Sequence, residues 1–161
     1  LKKYIKIEYT YINYSKDVSE VLNGRDESVT DITINLTSKI TQDNDTETFI
    51  RTAPGKMTED GDIIRISYTE EGAIPVKVLL KDDKLLIRRG VDHNNYSFMK
   101  FVPGEKESCR YVVEGRQMDM VSVTNLLEYT EDEGSHKLRV EYDLFNGLYL
   151  IGNYAVTLIF T

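Results

Sequence analysis

The sequence predicts an all-β protein, a single antiparallel up-and-down barrel of about eight to ten strands with at most one short helix. Three observations predict it. The segment Lys137 to Phe145, KLRVEYDLF, alternates charged and apolar residues without a miss. Leu138, Val140, Tyr142 and Leu144 therefore share one face of a strand, and Lys137, Arg139, Glu141 and Asp143 share the other. Turn signals (Asp60-Gly61, Asp82-Asp83, Pro103-Gly104, Glu114-Gly115, Asn146-Gly147) recur roughly every eight to twelve residues, the spacing of an all-β fold. Finally, three prolines in 161 residues and no low-complexity tract leave no domain boundary, so residues 1–161 read as one domain with one core.

The elements follow in order. Lys3 to Ile12 reads as a strand with Ile5, Ile7, Tyr9 and Tyr11 on one face. Ser15 to Gly24 reads as a short helix capped by Ser15, or as a plain loop. Val29 to Ile40 is the second strand, with Ile32, Ile34, Leu36 and Ile40 inward. The third begins near Glu47, and Pro54-Gly55 is expected to interrupt it and leave an edge or a bulge. Ile63 to Thr69 follows the Asp60-Gly61 turn. Val76 to Lys81 and Lys84 to Arg89 form a hairpin around Asp82-Asp83, and Tyr96 to Phe101 ends at Pro103-Gly104. Cys109 to Val113 and Arg116 to Val123 are joined through Glu114-Gly115. EYTEDEG reads as an acidic loop leading to the last hairpin, which turns at Asn146-Gly147 and ends in YAVTLIFT. Local hairpins make a meander, and closing it into a barrel removes the exposed edges.

Composition narrows the partners. The net charge of −7 repels phosphate backbones and anionic bilayers, so neither nucleic acid nor a membrane is expected. The charge is uneven: Lys81 to Arg116 holds eight Lys/Arg against six Asp/Glu, a locally basic stretch that could receive a small anion. Cys109 is the only cysteine, so the fold needs no disulfide and no oxidising compartment. No apolar run reaches the length of a membrane helix, and no signal-like segment is present. The expected location is cytoplasmic.

The run from Gly61 to Gly90, with ISYTEE near its start and LLIRRG near its end, resembles the YwiB-like family of uncharacterised bacterial β-barrel proteins. The family pattern has Tyr-x-Glu after a DG turn, Arg-x-Gly ending a later strand, a Tyr followed shortly by Gly, a Tyr in the penultimate strand and a Gly near the start of the last. Here these are Tyr68 and Glu70, Arg88 and Gly90, Tyr111 and Gly115, Tyr142, and Gly152. The match spans about Tyr4 to Thr161. The resemblance implies a calycin or lipocalin-like barrel and brings no activity with it. ESCRYVVEG departs from the pattern by lacking a small polar residue after its Tyr, as does the polar insert between the first two strands.

No motif specifies a reaction. His93 and His136 both fall in turn-like contexts and read as exposed, and the acidic run at Asp43 lacks the Gly and distal Glu of a calcium loop. Neither a metal site nor a cofactor is expected. Cys109 reads as a small, semi-buried apolar residue rather than a nucleophile. Glu70-Glu71 sits at a turn and reads as facing water, so no catalytic residue is assigned and the chain is expected not to be an enzyme. The candidate ligand-binding set is Arg65, Tyr68, Glu70, Arg88, Tyr111 and Tyr142. Tyr68 shares the parity of Ile64 and Ile66, and Tyr142 that of Val140 and Leu144, so both should point inward. Tyrosines give shape and hydroxyl donors, and Arg88 would supply a counter-charge. The functional expectation is a barrel that binds a small lipophilic or anionic ligand, as a monomer or homodimer. The alternative is an interaction protein that works through a barrel edge or a dimer interface.

Overall fold

The computed structural model describes residues 28–161, so the strand expected at Lys3 to Ile12 and the helix or loop at Ser15 to Gly24 lie outside the described residues. Ten strands follow one another: β1 (Thr30–Gln42), β2 (Asp45–Asp60), β3 (Ile63–Glu70), β4 (Ile74–Lys81), β5 (Lys84–Gly90), β6 (Tyr96–Phe101), β7 (Lys106–Val113), β8 (Arg116–Asp132), β9 (Ser135–Asn146) and β10 (Tyr149–Phe160). Each pairs antiparallel with its sequence neighbour, and β1 pairs with β10 to close the barrel. The closing seam runs from Ile34 opposite Phe160 to Thr41 opposite Asn153, and Thr33 and Thr161 exchange backbone hydrogen bonds beyond it.

Alternation places the core inside. Ile32 and Ile34 of β1, Ile66 of β3, Val76, Val78 and Leu80 of β4, and Leu138, Val140, Tyr142 and Leu144 of β9 are all buried. Their neighbours Thr33, Asn35, Ser67, Lys77 and Lys137 are exposed, as a sheet with one dry face requires.

The structure corrects four expectations about the wall. β2 is not broken at Pro54-Gly55. It runs unbroken from Asp45 to Asp60, with Pro54 opposite Thr33 and Gly55 opposite both Ile32 and Tyr68; the ladder with β3 begins at Gly55, so Asp45 to Pro54 pair with β1 and lie outside the β2–β3 ladder, and the expected edge is there without the break. Glycine is needed at position 55 because a Cβ would lie 2.6 Å from Ile34 Cδ1 and 2.9 Å from the Ser67 carbonyl oxygen. The acidic loop is strand: β8 continues to Asp132, with Leu127 and Tyr129 in the inward register and Glu128 and Thr130 outward. Two hairpin turns also sit one residue later than read. Asn146 pairs with Tyr149 and Asp60 with Ile63, so Gly147 and Gly61 take the first central position, at φ 61° in each case. A glycine there suits a turn with positive φ at its first central residue. Finally, Cys109 is fully buried rather than semi-buried.

Candidate functional site

Three strands, β2, β3 and β5, bring polar side chains into the interior. On β2, Phe49, Arg51, Ala53, Gly55 and Met57 share the inward face, so the alternation that buries Met57 also turns Arg51 toward the lumen. On β3, Tyr68 and Glu70 continue the face of Ile66. On β5, the register set by the Asp82-Asp83 turn places Leu85 opposite Leu80, Ile87 opposite Val78 and Arg89 opposite Val76. Arg89, not Arg88, is therefore the inward arginine.

These side chains converge on one carboxylate. Arg89 Nη2 lies 2.6 Å from Glu70 Oε2, and Arg51 Nη1 donates to the same oxygen at 3.4 Å. Tyr68 donates its hydroxyl to Glu70 Oε1 at 3.3 Å. Arg51 also reaches the turn residue Glu71 at 2.8 Å. Burial separates the two arginines: the Arg89 side chain is 4% exposed and that of Arg51 31%, while Glu71 is 63% exposed. Glu70–Arg89 is thus an ion pair inside the barrel, and Arg51–Glu71 is its solvated rim. Burial pushes the Tyr68 phenol above the ordinary tyrosine range, and the charge of Glu70 and the hydrogen bond to it add to the shift. The phenol keeps its proton and serves as a donor.

The cluster forms one wall of a cavity of about 80 Å³. Side chains of β1 to β5, β9 and β10 line it. Away from the cluster the lining is apolar (Leu36, Val76, Val78, Val140, Leu158) apart from Ser38. Arg89 carries uncommitted donors: Nε and Nη1 have no hydrogen-bond partner among the described residues. Nearby Ser97, which faces Arg89 across the β5–β6 ladder, likewise has an unpartnered buried hydroxyl.

The other half of the barrel is packed. Tyr142 stacks on Tyr154 with ring centroids 4.9 Å apart and contacts Phe101 at 4.7 Å. Tyr111 is buried beside Ser97 and Met118. Of the predicted set, then, Tyr68 and Glu70 line the cavity, whereas Tyr111 and Tyr142 fill the core. Glu70 is buried rather than water-facing. Arg65 and Arg88 take the opposite parity and belong to the outer face, Arg65 between Thr58 and Leu79 and Arg88 between Lys77 and Phe98.

His136, expected to be exposed, is buried at the far end of the barrel from this cluster. Its ring lies parallel to that of Phe160 at 4.8 Å, and its Nδ1 shares a 2.6 Å hydrogen bond with the Tyr129 hydroxyl, the direction set by the tautomer. The Tyr129 phenol is pushed up to about 12, first by burial and then by Glu131 and Glu59.

Comparison with known proteins supplies the relationship. No curated protein matches the chain. A solved structure, the ywiB protein from Bacillus subtilis, is similar in fold: the TM-score is 0.72 at 19% identity, over 82% of this chain and 91% of that one. No described helix is long and apolar enough to cross a membrane. The model of a domain of unknown function, DUF1934, matches residues 34–158, from within β1 to within β10 and with the whole Arg51–Tyr68–Glu70–Arg89 cluster inside, and the chain belongs to that family.

Proposed function

We propose that the barrel is a non-enzymatic binding protein that holds a small molecule in the cavity beside Arg89. The observation that carries this reading is the composition of the cavity wall, an apolar surface with one buried ion pair and one buried phenol set into it. Small-molecule sites are built this way, with a few placed polar groups in an apolar lining. The calycin or lipocalin-like character of the fold and a cytoplasmic location belong to the same reading; the single cysteine, buried in the core, fits a location without disulfide formation.

Size limits the occupant. A cavity of about 80 Å³ is roughly half the ~150 Å³ that accepts benzene, so it suits about four non-hydrogen atoms rather than a long lipid chain. The test is a thermal-unfolding screen of small carboxylates, amides, amines and alcohols against the full chain and against Val156→Phe, which puts a ring into the cavity. A saturable rise in Tm for one class, absent in the filled variant, supports the reading. No rise for any class, or an equal rise in the filled variant, overturns it.

A second reading, an interaction surface, is favoured by the β9–β10 hairpin, where Leu148, Tyr149 and Leu150 are exposed in succession. A concentration-dependent mass in sedimentation that Leu148→Ser abolishes would favour it.

A further inference from the structure

Resting on the cavity reading, we propose that the ligand is a short aliphatic monocarboxylate, held by Arg89 through its carboxylate and by the valine-lined wall through its carbon chain. Charge carries the first part. The charged side chains lining the cavity are Arg51, Arg89 and Glu70, two cations and one anion, so one further negative charge brings the lining to neutrality. Glu71 also pairs with Arg51, but from the exposed rim, where water screens it.

Hydrogen-bonding capacity gives the second part. Glu70 already accepts from Arg89, Arg51 and Tyr68. Its oxygens are committed, and it is a poor receptor for an incoming donor. Arg89 is the reverse: it is 3% exposed, and its Nε and Nη1 have no partner among the described residues. A guanidinium offers donors only, so the complementary group is an acceptor, and a carboxylate gives the charge-assisted bond. Shape gives the third. The rest of the wall, Val76, Val78, Val140 and Leu158, is aliphatic, and a volume of about 80 Å³ leaves room for a carbon or two beyond the carboxylate. Acetate and propionate fit; a fatty acid does not.

The test is an NMR titration of the isotope-labelled full chain with acetate, propionate, acetamide and methylammonium chloride, each at matched ionic strength. Acetate and propionate are expected to move the Arg89 side-chain resonance and the amides of Tyr68 and Glu70 saturably, propionate more tightly. Acetamide and methylammonium are expected to leave them unmoved. Glu70→Gln removes the competing anion and should tighten propionate by about tenfold, the lower end of what a charge-assisted bond is worth. Glu70→Gln with Arg89→Gln keeps the lining at the same single net positive charge and should lose binding. Equal binding of acetamide, or weaker binding by Glu70→Gln, overturns the carboxylate while leaving a ligand in the cavity. Saturable binding confined to residues outside the cavity overturns the site itself, as does none by any of the four.

Discussion

Arg89→Met is the most informative single substitution. It removes one partner of the buried ion pair and leaves Glu70 facing an apolar lumen with only Arg51 at 3.4 Å and Tyr68 at 3.3 Å. Stranding one member of such a pair costs about 3–5 kcal/mol, because the remaining charge keeps its desolvation penalty and loses its strongest partner. For a domain of this size that is a fall in Tm of roughly 6–20 °C. Arg51→Met touches the same carboxylate oxygen from a side chain that is 31% exposed, and should cost under about 1 kcal/mol. Replacing both partners, Glu70→Leu with Arg89→Met, removes charge and counter-charge together and should recover most of the loss; since Glu70→Leu alone strands Arg89 in the same way, the coupling energy in the double-mutant cycle should be at least about 4 kcal/mol. Urea unfolding of the wild type, the three single variants and the double variant, with equal slopes as the check on two-state behaviour, measures it. If Arg89→Met and Arg51→Met cost the same and both cost little, Arg89 is not paired inside the barrel and the site described above does not exist.

Other outcomes follow from the same geometry. Gly55→Ala should destabilise by about 1–3 kcal/mol, since its methyl would press on Ile34 and on the Ser67 backbone; a neutral result in urea unfolding would mean that β1 to β3 are less closely packed than described. Tyr142→Ala should cost about 3–5 kcal/mol by opening the Phe101–Tyr142–Tyr154 stack, and should leave the apolar lining around Val78 and Leu158 in place, which chemical shifts of those methyl groups would report. Alkaline pH should destabilise the fold. Tyr129 has a raised folded-state pKa, so the folded state holds the proton longer, and its contribution is complete below pH 10.0 and lost as pH rises toward about 12. Tyr129→Phe should flatten that part of the stability profile, and an unchanged profile would contradict the burial of this phenol.

Much of the fold was legible because one physical rule, alternation, governs both the sequence and the closed sheet. It placed Tyr68 and Tyr142 inward from their neighbours alone, and the hairpin order gave the meander. It was less secure where both parities are apolar. In KLLIRRG, Leu85, Ile87 and Arg89 compete with Leu86 and Arg88, and the family pattern drew attention to Arg88. The answer lay one strand earlier. Val76 and Val78 flank Lys77, and Leu80 precedes Lys81, with only Leu79 out of pattern, and the two-residue turn at Asp82-Asp83 carries that parity across to Arg89. Arg51 was hidden by the weight given to Pro54-Gly55. Reading β2 as continuous puts Phe49, Arg51 and Met57 on one face. Arg65 was separated from Tyr68 by the same parity that turned Tyr68 inward. The burial of Glu70 and His136 was not legible, because each sits at the end of a strand, where depth depends on how neighbouring strands overhang and not on local pattern.

The most direct measurement is a crystallographic difference map between crystals grown without small organic acids and the same crystals soaked in the strongest compound from the unfolding screen. The account predicts new density inside the barrel, within hydrogen-bonding distance of Arg89 and against Val78 and Val140. An interior unchanged by a compound that still raises Tm, or an Arg89 side chain turned away from Glu70, would contradict it.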